Sequence, residues 1–254
     1  MVKYINQPIF YNVMKILEQK TAHIANRILI SLLHSPYSKN YVLAFDLGLI
    51  SYNTAYNMQI KIFEILKSNA KPGALLLLEH YPVITTGNNK NLKNLLVTKE
   101  KLYQQNIELI YSNRGGDITL HTPGQIVCYV ILNLSIFKKD LSLFVYNIEQ
   151  VIVNVLKNFE IQASRINKHR GVFVGNSKIA SIGLKVKKWI TLHGFSLNVN
   201  NDLEYFDNII ACGLKNYPQT SMEKILKRPL SIYNVKEQII ESFSDVFNIS
   251  VKKI

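Results

Sequence analysis

The chain has 254 residues, of which 48% are hydrophobic and 19% charged, and its formal net charge is +13. This length allows one large domain or two small ones with a sizeable core. No run of about 18 uninterrupted apolar residues occurs, so the sequence predicts no membrane span. The two cysteines, Cys128 and Cys212, form neither a disulfide framework nor a metal-ligand spacing. They are typical of a reducing compartment.

The positive charge allows two classes of acidic partner, nucleic acid and acidic protein. There is no basic run with interleaved aromatic residues, no zinc-finger spacing and no basic zipper, and this disfavours nucleic acid. Asn, Ile and Lys are plentiful whereas Ala and Gly are few. That composition is typical of an AT-rich genome, which raises the lysine content whatever the function. We therefore give the charge little weight by itself.

Residues 1–40 precede the globular pattern and carry five basic residues against one acidic residue, Glu18. They show neither a signal-peptide core nor a small-residue cleavage site. Three hypotheses stay open for them: an organelle presequence, a bacterial N-terminal extension, or a start codon assigned too early. We expect residues 1–40 to be an extension and residues 41–254 to form one domain.

Strand-like and helix-like segments alternate from residue 41 onward. Ser51 has the character of an N-cap for the first helix, and the apolar run Ala74–Leu78 is typical of a strand buried on both faces. The predicted strands are 42–47, 74–78, 83–86, 107–111, 126–134, 171–174, 178–186 and 189–199, the last interrupted at His193–Gly194. The predicted helices cover about 51–67, 144–159 and 235–247. This order predicts an α/β (α+β) fold: a single domain with a central mixed sheet flanked by helices.

The most unusual stretch is RGGDITLHTPGQ, from Arg114 to Gln125. Glycines at this density let a backbone approach a ligand where no side chain would fit. Their spacing matches neither a P-loop nor a dinucleotide fingerprint. The rigid turn Pro123–Gly124 follows His121 closely and would fix its ring. We therefore expect His121 to line a site without acting as the base.

Cys212 is the candidate nucleophile, because its neighbours Ala211 and Gly213 leave the thiol accessible. Cys128 lies within an apolar strand and is interpreted as an inert core residue. A thiol attacks as the thiolate, which a nearby cation favours. Lys178 is a candidate for that cation, and strand alternation places it on one face with Ala180 and Ile182. Taken alone, Cys212 also fits a buried structural cysteine, and Lys178 one surface lysine among many.

These segments, in this order, resemble the lipoyl(octanoyl) transferase family over roughly residues 41–250. Three departures are visible: Ala211 stands where the family usually has proline, Ser196 where it usually has alanine, and Asn88–Asn89 follows Gly87 where many members have an arginine nearby. The resembling motifs are LEHYP (78–82), RGGDITLHTPGQ with Tyr129 and Asn133–Leu134 after it, GVFV (171–174), KIASIG (178–183), HGFSLN (193–198) and IACG (210–213).

The resemblance implies a fold similar to biotin and lipoate protein ligases. It also implies an acyltransferase that moves an octanoyl or lipoyl group from acyl carrier protein to a lysine of a lipoyl domain, the first step of endogenous protein lipoylation. Cys212 would carry the acyl group as a thioester, and Lys178 would favour the thiolate and shuttle protons. The substrate-binding residues implied are Arg114, Gly115, Gly116, Asp117, Ile118, Thr119, Leu120, His121, Ser181, Ile182, Gly183, Gly194, Phe195 and Ser196.

The resemblance further implies octanoyl-acyl carrier protein as donor. The implied acceptors are the lipoyl domains of 2-oxoacid dehydrogenase E2 subunits and the glycine cleavage H protein. It implies no cofactor, no metal, no membrane and no nucleic acid, and it favours a monomer. The expected compartment is the bacterial cytoplasm, or a mitochondrion or plastid if residues 1–40 are a presequence. We expect backbone N–H groups beside Lys178 or Cys212 to hold the oxyanion, and apolar residues of 127–132 to line the acyl tunnel.

Three rival interpretations remain from the sequence. The first is an ATP-dependent lipoate or biotin ligase on the same fold, which would need ATP and Mg²⁺ and no cysteine. The second is an amidotransferase that passes octanoyl groups between lipoyl domains. The third is a basic nucleic-acid-binding module with salt-sensitive binding; it leaves Cys212 and the glycine-rich run unexplained.

Overall fold

The computed structural model describes residues 26–34, 41–69, 71–88 and 92–254. The rest of the predicted extension, residues 1–25 and 35–40, lies outside these ranges. The helices are residues 26–34 (α1), α2 (Tyr52–Ser68), α3 (Lys99–Gln104), α4 (Leu141–Asn158), α5 (Met222–Leu226) and α6 (Ile232–Phe247). The strands are β1 (Tyr41–Ile50), β2 (Gly73–His80), β3 (Val83–Thr86), β4 (Glu108–Tyr111), β5 (Thr119–His121), β6 (Gln125–Leu132), β7 (Ser164–Ile166), β8 (His169–Val174), β9 (Ser177–Lys187), β10 (Ile190–Asn198) and β11 (Ser250–Lys253).

An eight-stranded mixed sheet, in the order β11-β1-β2-β6-β10-β9-β8-β7, forms the centre of the domain. The pairs β11–β1 and β1–β2 are parallel, and the remaining pairs from β2 to β7 are antiparallel. Every residue of β6 and β10 is buried, because layers cover both sheet faces at these strands. The predicted mixed sheet with flanking helices is confirmed.

Helices α4 and α6 cover one face of the large sheet. Their apolar residues, among them Ile148, Val151 and Phe243, pack with alternate residues of the strands, such as Cys128 and Val130. The helices face the sheet with one apolar stripe each, as helical periodicity requires. This layer forms the larger core of the domain.

Helix α2 covers the opposite face. It begins at the predicted cap, Ser51, whose hydroxyl accepts from the Thr54 N–H at 3.2 Å. Helix α1 joins the same layer through Ile28 and Leu32, each 1% exposed. The ammonium of Lys71 donates to the carbonyls of Leu32 and Leu33, so it caps the C-terminal end of α1.

A smaller sheet, in the order β4-β3-β5, stands beside the main one. Strand β5 lies inside the glycine-rich run and pairs antiparallel with β3. Apolar residues of this sheet pack against the segment 203–211, which contains a short 3₁₀ helix from Glu204 to Asn208. This unit therefore holds the glycine-rich run against the turn that carries Cys212.

Most predicted elements are present, with differences at their ends. Strand β1 continues past Gly48 to Ile50, with a register irregularity against β2 between Asp46 and Leu49. Strand β10 is continuous through His193–Gly194, so the predicted interruption is wrong. Sequence reasoning missed α1, α3, α5 and the strands β5, β7 and β11. Among the described helices, none is long and apolar enough to cross a membrane.

Candidate active site

A cleft opens between the N-terminal end of α2, the glycine-rich run, strands β6, β9 and β10, and the Cys212 turn. Its walls carry both polar and apolar side chains, as expected of a small-molecule site. The lining residues are Tyr52, Arg114, Gly116, Asp117, Thr119, His121, Val127, Tyr129, Ser181, Ile182, Gly183, His193, Gly194, Phe195, Ser196 and Cys212.

Cys212 lies in a 3₁₀ turn, Ala211–Gly213, with φ 56° and ψ 18°. This left-handed conformation is uncommon for a residue with a side chain. Its thiol is partly exposed, and the Sγ atom lies 3.8 Å from Ser181 Oγ. The other cysteine, Cys128, is fully buried, and burial raises the pKa of its thiol well above the ordinary value. The geometry therefore leaves Cys212 as the cysteine that a substrate can reach.

Arg114 is a buried cation beside Cys212. Its guanidinium donates to Thr85 O at 2.6 Å, to Thr85 Oγ1 at 3.0 Å and to Gly115 O at 3.1 Å. Burial lowers its pKa, while the Cys212 thiol and the phenol of Tyr52 act in the opposite direction. These bonds fix the charge at the cleft wall, where it favours negative charge on a bound ligand.

A bulge in β9 decides which way Lys178 points. Strands β8 and β9 pair Val172 with Ala180 but Phe173 with Lys178, so one extra residue, Ile179, stands between these pairs. Ile179 and Ala180 both join the core under α4. The predicted face, shared by Lys178, Ala180 and Ile182, is therefore wrong. The bulge turns Lys178 to the face that carries Phe173, with Nζ 5.6 Å from the ring centre.

Lys178 is 1% exposed and lies outside the lining of the cleft. Its ammonium donates to Arg170 O at 2.9 Å. Gly171, at φ 122°, leaves room for this side chain, because a Cβ there would lie 2.7 Å from Lys178 Cε. The Gly171 N–H donates to Glu149 Oε1 at 3.1 Å. Lys178 is thus held on the Cys212 side of the sheet, three residues before Ser181.

Three buried imidazoles lie at the cleft, and two of them, His121 and His193, belong to its lining. His80 Nδ1 is 2.8 Å from Ile50 O, which assigns the proton to Nδ1, and Tyr129 OH then donates to Nε2 over 2.7 Å. His121 Nδ1 bonds Gln125 Oε1 at 2.6 Å. Burial lowers the pKa of His80 to about 4, and that of His121 and His193 to about 3. At neutral pH these rings are uncharged, so they shape a polar wall without adding to the positive charge of Arg114.

The two backbone N–H groups at the candidate catalytic residues already have partners. The Cys212 N–H donates to Ile118 O and the Lys178 N–H to Pro218 O, each at 2.8 Å. In this conformation neither is free to hold an oxyanion. The expected donors beside these residues would have to lie at neighbouring positions.

The cleft brings together most of the residues that the sequence predicted for the site. Gly115, Ile118 and Leu120, all within the glycine-rich run, lie behind its surface, as Lys178 does. Of the residues expected in the acyl tunnel, Val127 and Tyr129 line the cleft, whereas Cys128 and Val130 face the core on the other side. Tyr52 was missed. The described residues contain no group of His, Cys, Asp and Glu side chains arranged to hold a metal ion.

Comparison with known proteins places the chain in a family. Residues 51–244 match the model of the lipoyl protein ligase A/B catalytic domain. The chain belongs to this family. The resemblance to lipoyl(octanoyl) transferases is thereby confirmed, and so is the prediction of an acyltransferase.

Curated relatives support the same assignment. The octanoyltransferase of Caldicellulosiruptor saccharolyticus is 43% identical over 203 residues, which are 79% of this chain and 86% of the relative. The octanoyltransferase of Thermoanaerobacter sp. (strain X514) is 43% identical over 209 residues, which are 82% of this chain and 91% of the relative. These identities support octanoyl or lipoyl transfer as the general activity.

Solved structures show the fold. A lipoate-protein ligase A bound with ATP superposes with a TM-score of 0.68 at 16% identity, covering 85% of this chain and 88% of that chain. A bipartite lipoate protein ligase from Thermoplasma acidophilum, described with its E2 lipoyl domain, has a TM-score of 0.68 at 18% identity, covering 85% of this chain and 87% of that chain. The expected similarity to lipoate ligases is confirmed at the level of fold.

Proposed function

We propose that this enzyme transfers an octanoyl or lipoyl group from acyl carrier protein to a lysine of a lipoyl domain, through a thioester on Cys212. The observation that carries the proposal is the Cys212 turn: a partly exposed thiol in a left-handed backbone conformation, on the wall of a cleft that also holds a buried arginine. A nucleophile held this way is pre-oriented toward a bound carbonyl.

In the first half-reaction, the Cys212 thiolate attacks the thioester carbonyl of the donor. The bond between the acyl carbon and the pantetheine sulfur breaks, and a thioester to Cys212 forms. The departing pantetheine thiolate takes a proton, for which Lys178 is the proposed source. Because one thioester replaces another, the step is nearly isoenergetic and requires no ATP.

In the second half-reaction, the amine of the acceptor lysine attacks the acyl carbon of the Cys212 thioester. An amide bond forms, the bond to Cys212 Sγ breaks, and the thiolate is regenerated. The amine loses one proton, for which Lys178 is the proposed acceptor. The glycine-rich run from Arg114 to His121 and the segments 181–183 and 194–196 are the proposed binding residues for the acyl substrate.

The proposed partners are octanoyl-acyl carrier protein as donor, and the lipoyl domains of E2 subunits and the glycine cleavage H protein as acceptors. The proposed form is a monomer in the bacterial cytoplasm, with residues 41–254 as the catalytic domain. Family membership and the octanoyltransferase relatives support the acyl group; the thiol and cation of the cleft support the covalent route.

The experiment is intact-protein mass spectrometry of the full chain after mixing with octanoyl-acyl carrier protein, without ATP. We expect a gain of one octanoyl group that hydroxylamine removes. The variant Cys212→Ser should gain none, because a neutral hydroxyl is a far weaker nucleophile than a thiolate. The matched control Cys128→Ser should be acylated at a rate within about threefold of the wild type, because its thiol takes no part.

Four results would contradict the proposal. Acylation of folded Cys212→Ser, or equal loss in both variants, would remove the single-nucleophile route. Modification that requires ATP and Mg²⁺ would favour the ligase interpretation instead. Acylation from an octanoylated lipoyl domain but not from acyl carrier protein would favour the amidotransferase interpretation.

A further inference from the structure

A ring of hydrogen bonds surrounds the turn that carries Cys212. The Cys212 N–H donates to Ile118 O at 2.8 Å, and the Ile118 N–H donates to Asp117 Oδ1 at 2.7 Å. The other carboxylate oxygen, Asp117 Oδ2, accepts from the side-chain amide of Asn94 at 2.5 Å. The Ile210 N–H closes the ring by donating to Asn94 O at 2.8 Å. Two backbone hydrogen bonds, to Asn94 and to Ile118, therefore hold the turn, and the Asn94–Asp117 side-chain pair links the two segments that accept them.

The Asn94–Asp117 pair also lies directly against the residue that follows the nucleophile. A Cβ at Gly213 would lie 3.1 Å from Asp117 Oδ2 and 3.2 Å from Asn94 Nδ2. The Gly213 N–H donates to Ile210 O at 3.0 Å, so this residue is fixed on two sides. The pair thus fills the space that a side chain at position 213 would need.

The left-handed conformation of the Cys212 turn needs support from neighbouring segments, because the turn itself supplies little. It has no side-chain cap of its own, and a left-handed residue with a side chain persists only where its surroundings impose that conformation. If Cys212 relaxed to negative φ, its Cα–Cβ bond would swing and the thiol would leave its place beside Ser181. A displacement of about 1 Å at a reacting atom can reduce a rate by on the order of a hundredfold.

We propose that Asn94 and Asp117 are positioning residues for Cys212, which hold the nucleophile turn in its left-handed conformation. This inference rests on the proposed function, which assigns the nucleophile to Cys212. In this inference Asp117 acts on the nucleophile through the backbone of Ile118 and Cys212. The sequence resemblance implied a different role for Asp117, contact with the acyl substrate. Asn94 had no predicted role.

The test exchanges the two side chains. Asn94→Ala removes the donor, and Asn94→Asp sets two carboxylates against each other, which is unfavourable. The double variant Asn94→Asp/Asp117→Asn restores the pair with reversed polarity. The new amide at position 117 donates to the new carboxylate at position 94, and its oxygen still accepts from the Ile118 N–H. The double variant also keeps the net charge of the wild type.

The readouts are single-turnover acylation of the full chain by octanoyl-acyl carrier protein and hydrogen–deuterium exchange of a peptide that covers residues 209–214. We expect each single variant at Asn94 to acylate at least about tenfold more slowly and to lose exchange protection at the Cys212 amide. The double variant should acylate at least about tenfold faster than Asn94→Asp and regain protection. Asn216→Asp, the same change at an exposed position four residues after Cys212, is the matched control and should change neither readout. Melting temperatures separate a positioning effect from loss of the fold.

Two results would overturn the inference: wild-type acylation and protection in Asn94→Ala, or a double variant no better than Asn94→Asp in both readouts. If the wild type itself takes no octanoyl group, the proposed function fails. The exchange pattern then still judges the positioning role, because it does not depend on the acyl donor.

Discussion

The conformation of single residues sets the geometry of this cleft. Cys212 has φ 56° and His193 has φ 62°, and left-handed backbone costs an ordinary residue about 1–2 kcal/mol. Both residues line the cleft. Strain that is maintained by surrounding structure clusters at functional sites. At these two positions the backbone conformation fixes the direction of the Cys212 thiol and of the His193 ring at the cleft wall.

The first residue-scale prediction concerns Gly171, over which the Lys178 side chain lies. Gly171→Ala would place a Cβ 2.4 Å from Ala180 O and 2.7 Å from Lys178 Cε at φ 122°. Either β8 or the lysine must move, so we expect acylation of Cys212 to slow at least about tenfold. Single-turnover acylation checks this at a temperature where circular dichroism shows the variant folded.

Gly175→Ala is the matched control for Gly171→Ala. Gly175 has φ 55°, and nothing lies within 4 Å of a Cβ built on it. Its substitution should cost about 1–2 kcal/mol of stability from backbone strain alone, with acylation close to that of the wild type. Equal acylation rates in the two variants would show that glycine is not needed at position 171 to make room for the Lys178 side chain.

The second residue-scale prediction is a loss of stability at acid pH. Burial lowers the pKa of His80 to about 4 and that of His121 and His193 to about 3, whereas an unfolded chain titrates near pH 6.5. Above that pH the three imidazoles are neutral in both the folded and the unfolded state, so they do not lower the free energy of unfolding. As the pH falls below about 6.5, the unfolded state binds protons that the folded state refuses. Each imidazole then lowers the free energy of unfolding by about 1.4 kcal/mol per pH unit, until the pH approaches the folded-state values.

Urea unfolding at a series of pH values between 7 and 5 measures this dependence. In His80→Gln one of the three imidazoles is absent, so the slope that they produce should fall by about one third. A slope unchanged by this substitution, or stability that does not vary below pH 6.5, would show that these rings are protonated in the folded protein.

At the scale of elements, helix α1 is an integral layer of the described structure. Leu32 is 1% exposed, whereas its neighbour Leu33 is 52% exposed. Leu32→Ala should lower the free energy of unfolding by about 2–4 kcal/mol, since it leaves a cavity against α2 and β1. Leu33→Ala should change it by less than about 0.5 kcal/mol. Chemical denaturation measures both; equal effects would mean that α1 does not pack on the domain in solution.

The helices and long strands could be predicted because their patterns are local. Ser51 caps α2, and the continuous apolar runs became β2 and β6. The break predicted in β10 failed for a physical reason. A Cβ at Gly194 would lie 2.0 Å from Cys128 O, so this glycine marks the close approach of β6, not the end of a strand. The short strands β5 and β11 depend on partners distant in sequence, β3 and β1.

The site was predictable in its motifs and less so in its geometry. Strand alternation predicts the face of Lys178 correctly only in a strand without a bulge. The bulge at Ile179 follows from the register in which β9 pairs with β8, and the sequence of β9 alone does not reveal that register. Tyr52 stands at the start of α2, far from every motif, and only the packing of that helix brings it to the cleft. The one sequence signal was the spacing of four residues between Tyr52 and Tyr56, which puts both side chains on the same face of α2. In the structure, the Tyr56 hydroxyl accepts a hydrogen bond from Asn113 at 2.7 Å.

At the scale of the whole molecule, the net charge of +13 sets up a long-range field. Part of it surrounds the hairpin between β9 and β10, where Lys187 and Lys188 are exposed. Lys185, also on β9, is close enough to lower the pKa of His193, after the larger effects of burial and Arg114. Strand β9 thus carries positive charge from the neighbourhood of the cleft to its hairpin end.

Such a field should accelerate encounter with an acidic donor protein and leave the chemical step unchanged. We expect kcat/KM for octanoyl-acyl carrier protein to fall about fivefold or more between about 50 mM and about 300 mM NaCl, because salt screens charges beyond the Debye length. An uncharged octanoyl-pantetheine thioester is the control, since it gains nothing from steering. Its kcat/KM should vary less than about twofold over the same range. Equal salt dependence of the two donors would mean that the charge serves solubility alone.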